Sequence, residues 1–172
     1  MEIEKVLISG CLVGLKVRYH GGDAPCHSQI IDRWAKEGRI VSICPEVSAG
    51  LPIPRPSSEI IYGTANDVLR GKAKVSTHKG IDRTDAFIKG AFNALSLAKK
   101  FNIKIAVLKK DSPSCGNTTV YDGSFSGKII PGSGVTAQLL NDNGIKVFNE
   151  LELHEADMYM RSLAISGSCY FT

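Results

Sequence analysis

The sequence predicts an α/β fold: a single domain with an open, mostly parallel sheet and helices on both faces, Rossmann-like in outline. Three observations carry that expectation. Short apolar runs alternate with helical segments along the chain. The first two runs stop abruptly, at Gly10 and at Cys44-Pro45. And 172 residues with 43% hydrophobic and 22% charged side chains suit one compact core.

Taken in order, Val6-Leu7-Ile8-Ser9 reads as a buried strand entering a tight loop. A helix follows around Ser28 to Glu37, with Ile30, Ile31 and Trp34 on one face and Gly38 closing it. Arg39 to Ile43 is the second strand. Gly50, Pro52, Pro54 and Pro56 make residues 49–58 a rigid irregular loop, and the polar, glycine-dotted stretch 59–80 suggests a small hairpin or excursion. From Asp82 or Thr84 to Phe101, the residues Phe87, Ile88, Ala91, Leu95 and Ala98 recur at helical spacing, with Asp82 or Thr84 able to cap the start. Lys104 to Leu108 is the third strand, Val135 to Asn143 a helix closed by Gly144, and Ile145 to Phe148 the fourth strand. The domain is expected to span 1–153, with 154–172 a less well-specified C-terminal tail.

Composition narrows the function. The net charge of +4 slightly favours an anionic or nucleotide-like ligand, without a basic tract of the kind that holds nucleic acid. Met1 to Lys5 lacks the features of a secretory signal, and no apolar stretch approaches bilayer length, so no membrane partner and a cytoplasmic location are expected. In that reducing compartment the five cysteines (11, 26, 44, 115 and 169) argue for metal or catalytic chemistry over disulfides.

Their placement is informative. Cys11 follows the first strand, Cys44 the second, and Cys115 lies in the loop after the third. In an open parallel sheet those ends share one edge, where α/β proteins bind ligands. Three converging thiolates repel one another unless a cation holds them, which implies a metal or a cluster. Structural zinc sites usually have four protein ligands, commonly with paired C-x-x-C spacing that is absent here. Iron–sulfur clusters also usually take four cysteines, and three would leave one iron open to bind substrate.

The remaining candidates are weaker on residues alone. Glu46 reads equally as a surface charge or helix cap, and Ser112 as turn chemistry. Gly132-Ser133-Gly134 before a helix could cradle an anion with backbone amides, or could simply be a flexible helix entry. Arg18, Tyr19 and Arg55 could contact an anionic or aromatic ligand. His20 and His27 are fallback ligands or acid–base groups, and Cys26 and Cys169 read as bystanders.

Several motifs in series make the sequence recognisable: Ser9-Gly10-Cys11-Leu12-Val13-Gly14 with Arg18-Tyr19, Cys44-Pro45-Glu46 with Gly50-Leu51-Pro52 and Pro54-Arg55-Pro56, Ser112-Pro113-Ser114-Cys115-Gly116, Tyr121-Asp122-Gly123, and Gly132-Ser133-Gly134-Val135-Thr136. Up to about Glu150 the chain resembles the bacterial thiouracil desulfidases. The resemblance implies a [4Fe-4S] cluster on Cys11, Cys44 and Cys115, a catalytic carboxylate at Glu46 and an active-site serine at Ser112. It implies that a thiolated uracil-type base or nucleoside loses its sulfur as sulfide, the open iron acting as a Lewis acid on the thiocarbonyl. RNA is not expected as a substrate, because no added domain is evident. A thiolation enzyme using the same cluster, or a non-catalytic zinc or redox-sensing module, are the alternatives. Whether the protein is a monomer or a homodimer stays open.

Overall fold

A computed structural model describes residues 3–167. It contains β1 (Val6–Ser9), a 3-10 turn (Gly10–Val13), α1 (Gln29–Lys36), β2 (Ile40–Ile43), α2 (Pro45–Ser48), β3 (Ser58–Ile61), α3 (Ala65–Leu69), β4 (Lys74–Thr77), α4 (Thr84–Lys100), β5 (Ile105–Leu108), β6 (Thr119–Tyr121), β7 (Ile129–Pro131), α5 (Val135–Asp142), β8 (Lys146–Asn149) and α6 (Leu153–Gly167). Cys169 lies outside the described residues.

The four expected strands pair in the order β2-β1-β5-β8, every neighbour parallel. Because successive side chains point to opposite faces, each strand feeds two cores. Leu7, Ala106, Leu108 and Val147 pack with Phe87, Ala91 and Leu95 of α4 and Leu140 of α5. Val6, Ile8, Ile105, Val107 and Phe148 pack with Ile31 and Trp34 of α1 and with Ala156 and Met160 of α6. A strand buried on both faces needs a continuous apolar run, which is why Val6–Ser9 and Ile105–Leu108 carry no alternation.

Local chemistry sets the helix ends. The Ser28 hydroxyl accepts the Ile30 amide at 3.2 Å to open α1, and Gly38, in the left-handed region at φ 68°, follows its end. At the start of α4, Asp82 Oδ1 accepts the Thr84 amide at 2.9 Å. The Thr84 hydroxyl turns instead to the Val75 amide at 3.0 Å, tying the helix to β4. The excursion between β2 and α4 is a two-stranded antiparallel ribbon of β3 and β4. Between those strands, α3 begins with a reciprocal Thr64–Asp67 capping box.

Two regions differ from expectation. Residues 118–133 form a second small ribbon, β6 with β7. Where a less well-specified tail was expected, Leu153–Gly167 is a helix that covers one face of the sheet. Its inward residues are Leu153, Ala156 and Met160, with Asp157 buried among them. Asp157 Oδ1 accepts from Arg33 and, at 3.1 Å, from the Trp34 indole, while its other oxygen accepts from Arg161 at 2.9 Å. That network joins α6 to α1. A small alanine and a buried carboxylate at core-facing positions weaken the apolar periodicity that would have announced the helix.

Candidate functional site

Strand β2 lies on one side of β1 and β5 on the other, so the order in which strands are added reverses between β1 and β5. A crevice opens beyond the carboxyl ends of strands at such a point. It holds a cavity of about 320 Å³ lined by Cys11, Cys44 and Cys115 together with Glu46 and Ser112. Arg18, Tyr19, Arg55, Lys109 and Asp111 complete much of its wall. The sequence-predicted residues therefore converge, apart from the Gly132-Ser133-Gly134 group.

Each cysteine is delivered by a different device. Cys11 sits in the 3-10 turn after β1, its carbonyl accepting the Ala24 amide at 3.0 Å. Cys44 follows β2 and precedes Pro45, the first residue of α2. The backbone there presses against α4 at Gly90, where a Cβ would stand 2.3 Å from the Pro45 carbonyl oxygen. Only glycine permits that approach.

Cys115 is held by a turn and a helix. The Ser112 hydroxyl oxygen accepts the Ser114 and Cys115 amides, both at 3.2 Å. With its oxygen so engaged, the Ser112 proton remains to donate into the cavity. The amides at the start of α5 then take the loop carbonyls: Gly134 to Gly116 at 2.7 Å, Val135 to Pro113 at 2.9 Å and Thr136 to Ser114 at 2.9 Å. Ser133 bonds Gln138 at 2.7 Å. The expectation of an anion cradle at 132–134 is thereby corrected. These amides do bind oxygen, but it is the peptide oxygen of the neighbouring cysteine loop, and none of the three residues lines the cavity.

The thiols feel burial and one another. Burial pushes Cys11 up to about 11, with the nearby Cys44 adding to it and the charges of Arg18 and Lys109 opposing. Burial also raises Cys115, against a hydrogen bond with Ser9, and both other cysteines raise it further. Cys44 is raised by burial and by Glu46, against hydrogen bonds from the Val47 and Glu46 amides and the charge of Arg55. Burial above all, with neighbouring cysteines adding to it at Cys11 and Cys115, keeps these protons on, so the thiols become stable thiolates only when cations draw them off. A cluster would give each of the three thiolates its own iron, whereas a structural zinc usually takes four protein ligands.

Some residues take other places than expected. Arg55 is buried, and its Nε and Nη2 reach Glu46 Oε2 at 2.7 and 2.6 Å. Its guanidinium is thus committed to the protein rather than open to an anion. His20 and His27 are exposed and do not line the cavity, and Cys26 lies outside it, its thiol 4.0 Å from the Glu150 carbonyl.

Sequence reasoning missed Ser9, Gly90, Lys109 and Glu150. Ser9 is buried where β1 meets β5 and accepts the Lys109 amide at 2.9 Å. Lys109 in turn reaches Glu150 at 2.5 Å, and the same carboxylate accepts the Lys110 amide at 2.9 Å. The available signal was position, since all but Gly90 stand at the carboxyl end of a core strand.

A site of this composition has relatives. The family model described as 2-thiouracil desulfurase matches residues 6–152. The chain belongs to that family. An uncharacterized protein of Bacillus subtilis strain 168, YbbK, is 45% identical over 150 residues, which is 87% of this chain and 98% of the relative. Among solved structures, the [4Fe-4S]-dependent thiouracil desulfidase TudS superposes with a TM-score of 0.85 at 40% identity, covering 92% of this chain and 98% of its own. The family match ends just before α6, so the helix that closes one face of the sheet lies beyond the matched segment. No helix among the described residues is long and apolar enough to cross a membrane.

Proposed function

We propose that this member of the 2-thiouracil desulfurase family removes sulfur from thiouracil-type bases at a [4Fe-4S] cluster held by Cys11, Cys44 and Cys115. Water replaces the sulfur, so that C=S and H2O become C=O and hydrogen sulfide, with no net electron transfer. The observation that carries the reading is the opening of three thiols from three strand ends into one cavity that also presents a carboxylate and a serine. When bound, the cluster would supply Lewis-acid chemistry at an iron without a cysteine ligand, making a thiocarbonyl carbon more electrophilic.

The protein's own residues do the rest. Glu46, oriented by Arg55 through one oxygen, draws a proton from the water that attacks the carbon. Ser112, whose oxygen already accepts two amides, hydrogen-bonds through its remaining proton to the reacting water or to the nucleobase and holds it in place. A cavity of about 320 Å³ suits one pyrimidine base or nucleoside better than a folded nucleic acid. The buried thiols fit a reducing cytoplasm.

The test is anaerobic reconstitution with iron and sulfide, elemental analysis, and an assay for uracil and sulfide from 2-thiouracil. The expected outcome is about four irons per chain and equal yields of both products. Replacing Cys11, Cys44 or Cys115 by serine removes iron, whereas Cys26→Ser keeps it. Glu46→Ala retains iron and loses turnover. Stoichiometric zinc without iron after anaerobic handling, or a fully loaded protein that releases no sulfide, overturns the reading.

A further inference from the structure

The cavity wall contains a buried arginine, Arg55, that the protein itself holds in place. Arg55 Nε and Nη2 both fall on one oxygen of Glu46, Oε2, at 2.7 and 2.6 Å. Nη1 donates to the Pro52 carbonyl at 3.2 Å and Nη2 also to the Val17 carbonyl at 3.1 Å. The Arg55 amide donates to the Tyr19 carbonyl at 2.7 Å, so its loop is fastened at two points to the segment carrying Arg18 and Tyr19. Its side chain is 5% exposed and that of Glu46 16%. A guanidinium held by a carboxylate and two carbonyls has a single orientation, and so has the carboxylate.

We propose that Arg55 is the positioning residue for Glu46: it immobilises Oε2 and leaves Oε1 as the one oxygen able to accept the proton of the attacking water. This rests on the desulfurating role given above to Glu46. The Val17 carbonyl extends the arrangement. It accepts both from Arg55 and, at 3.8 Å, from the Cys44 thiol. One buried side chain thus fixes the carboxylate through the protein's own carbonyls. A surface arginine meeting an anionic substrate does not.

The experiment compares wild type with Arg55→Ala, Arg55→Lys and Glu46→Gln, all anaerobically reconstituted. Iron per chain, kcat and KM for 2-thiouracil are measured with and without added methylguanidinium, and Arg55→Ala is crystallised. Arg55→Ala keeps its iron, loses about a hundredfold in kcat, as misplacement of a catalytic group does, and keeps its KM. Methylguanidinium restores part of the rate to Arg55→Ala and none to Glu46→Gln. Arg55→Lys, a point charge without the planar fork, falls between wild type and alanine. A raised KM with kcat unchanged makes Arg55 a substrate contact, and loss of iron makes it a structural support; either overturns the proposal. A loaded wild type that releases no sulfide removes the functional reading instead. The crystal structure then still decides, because a Glu46 that keeps its rotamer without Arg55 overturns the positioning role.

Discussion

Gly134 is the position at which one added carbon should do the most damage for the least chemistry. Its backbone dihedrals, φ −76° and ψ 163°, are open to any residue, so no strain term complicates the substitution. A Cβ there would stand 2.4 Å from both the carbon and the oxygen of Ser114 and 2.7 Å from the Cys115 nitrogen. Ordinary contact begins about 1 Å further out. The atoms to be displaced are the Ser114–Cys115 peptide, pinned on one side by the Ser112 hydroxyl and on the other by the Thr136 amide. Overpacking of rigid backbone costs about 2 kcal/mol, and in a protein of this length that lowers Tm by about 4–8 °C. A metal–ligand bond tolerates a misplacement of only about 0.2 Å, so a Cys115 displaced several times further leaves the iron site incomplete. Gly134→Ala should therefore unfold at lower temperature by circular dichroism and take up substantially less iron on anaerobic reconstitution. A variant with the wild-type Tm and full iron would show that the α5 start does not set the position of Cys115.

Two further perturbations follow from the same reasoning. Gly90→Ala places a Cβ 2.3 Å from the Pro45 carbonyl oxygen. It should lower Tm by a similar about 4–8 °C and slow desulfuration, because Cys44 and Glu46 flank Pro45; unchanged kinetics would separate α4 from the site. At Asp157, burial works to raise the carboxyl, but hydrogen bonds from Arg33 and Trp34 and the charges of Arg33 and Arg161 outweigh it and hold it below the ordinary range. A lowered carboxylate stabilises the fold above its unfolded value of about 4 and loses that contribution as pH falls through the folded value. Acid should then loosen α6 first, reported by the fluorescence of Trp34, the only tryptophan. Asp157→Asn should remove most of the added acid sensitivity below pH of about 4; an identical acid profile in that variant contradicts the assignment.

Much of this molecule was legible from sequence because its core strands are short, apolar and sharply terminated. Val6–Ser9 and Ile105–Leu108 are buried on both faces, and burial of that kind leaves an unmistakable run. Once the strand ends were located, parallel topology alone brought Cys11, Cys44 and Cys115 to one edge, and the cavity they share bears out that convergence. What stayed hidden depends on partners. Arg55 looked like an anion contact because sequence does not disclose that Glu46, nine positions earlier, would occupy it. The amides at 132–134 looked able to cradle an anion, yet Gly134 and the following Val135 donate to carbonyls some twenty residues away. Gly90 sat unnoticed in a good helix, since its value lies in what it omits. Helix α6 was obscured by Asp157, a carboxylate in the place of an apolar side chain.

The spacing of the three cysteines also bears on how the protein matures. Along the chain they are 33 and 71 residues apart, at positions 11, 44 and 115, and nothing local draws them together. They become neighbours only after two parallel crossovers have closed, and parallel pairing is slow because long loops must be ordered before any contact rewards them. During synthesis the first two thiols emerge well ahead of the third. A scaffold that delivers a preformed inorganic group therefore has nothing to hand it to until β5 has docked. On the proposed ligand set, loading waits on the docking of β5, because until then only two of the three thiols share the site.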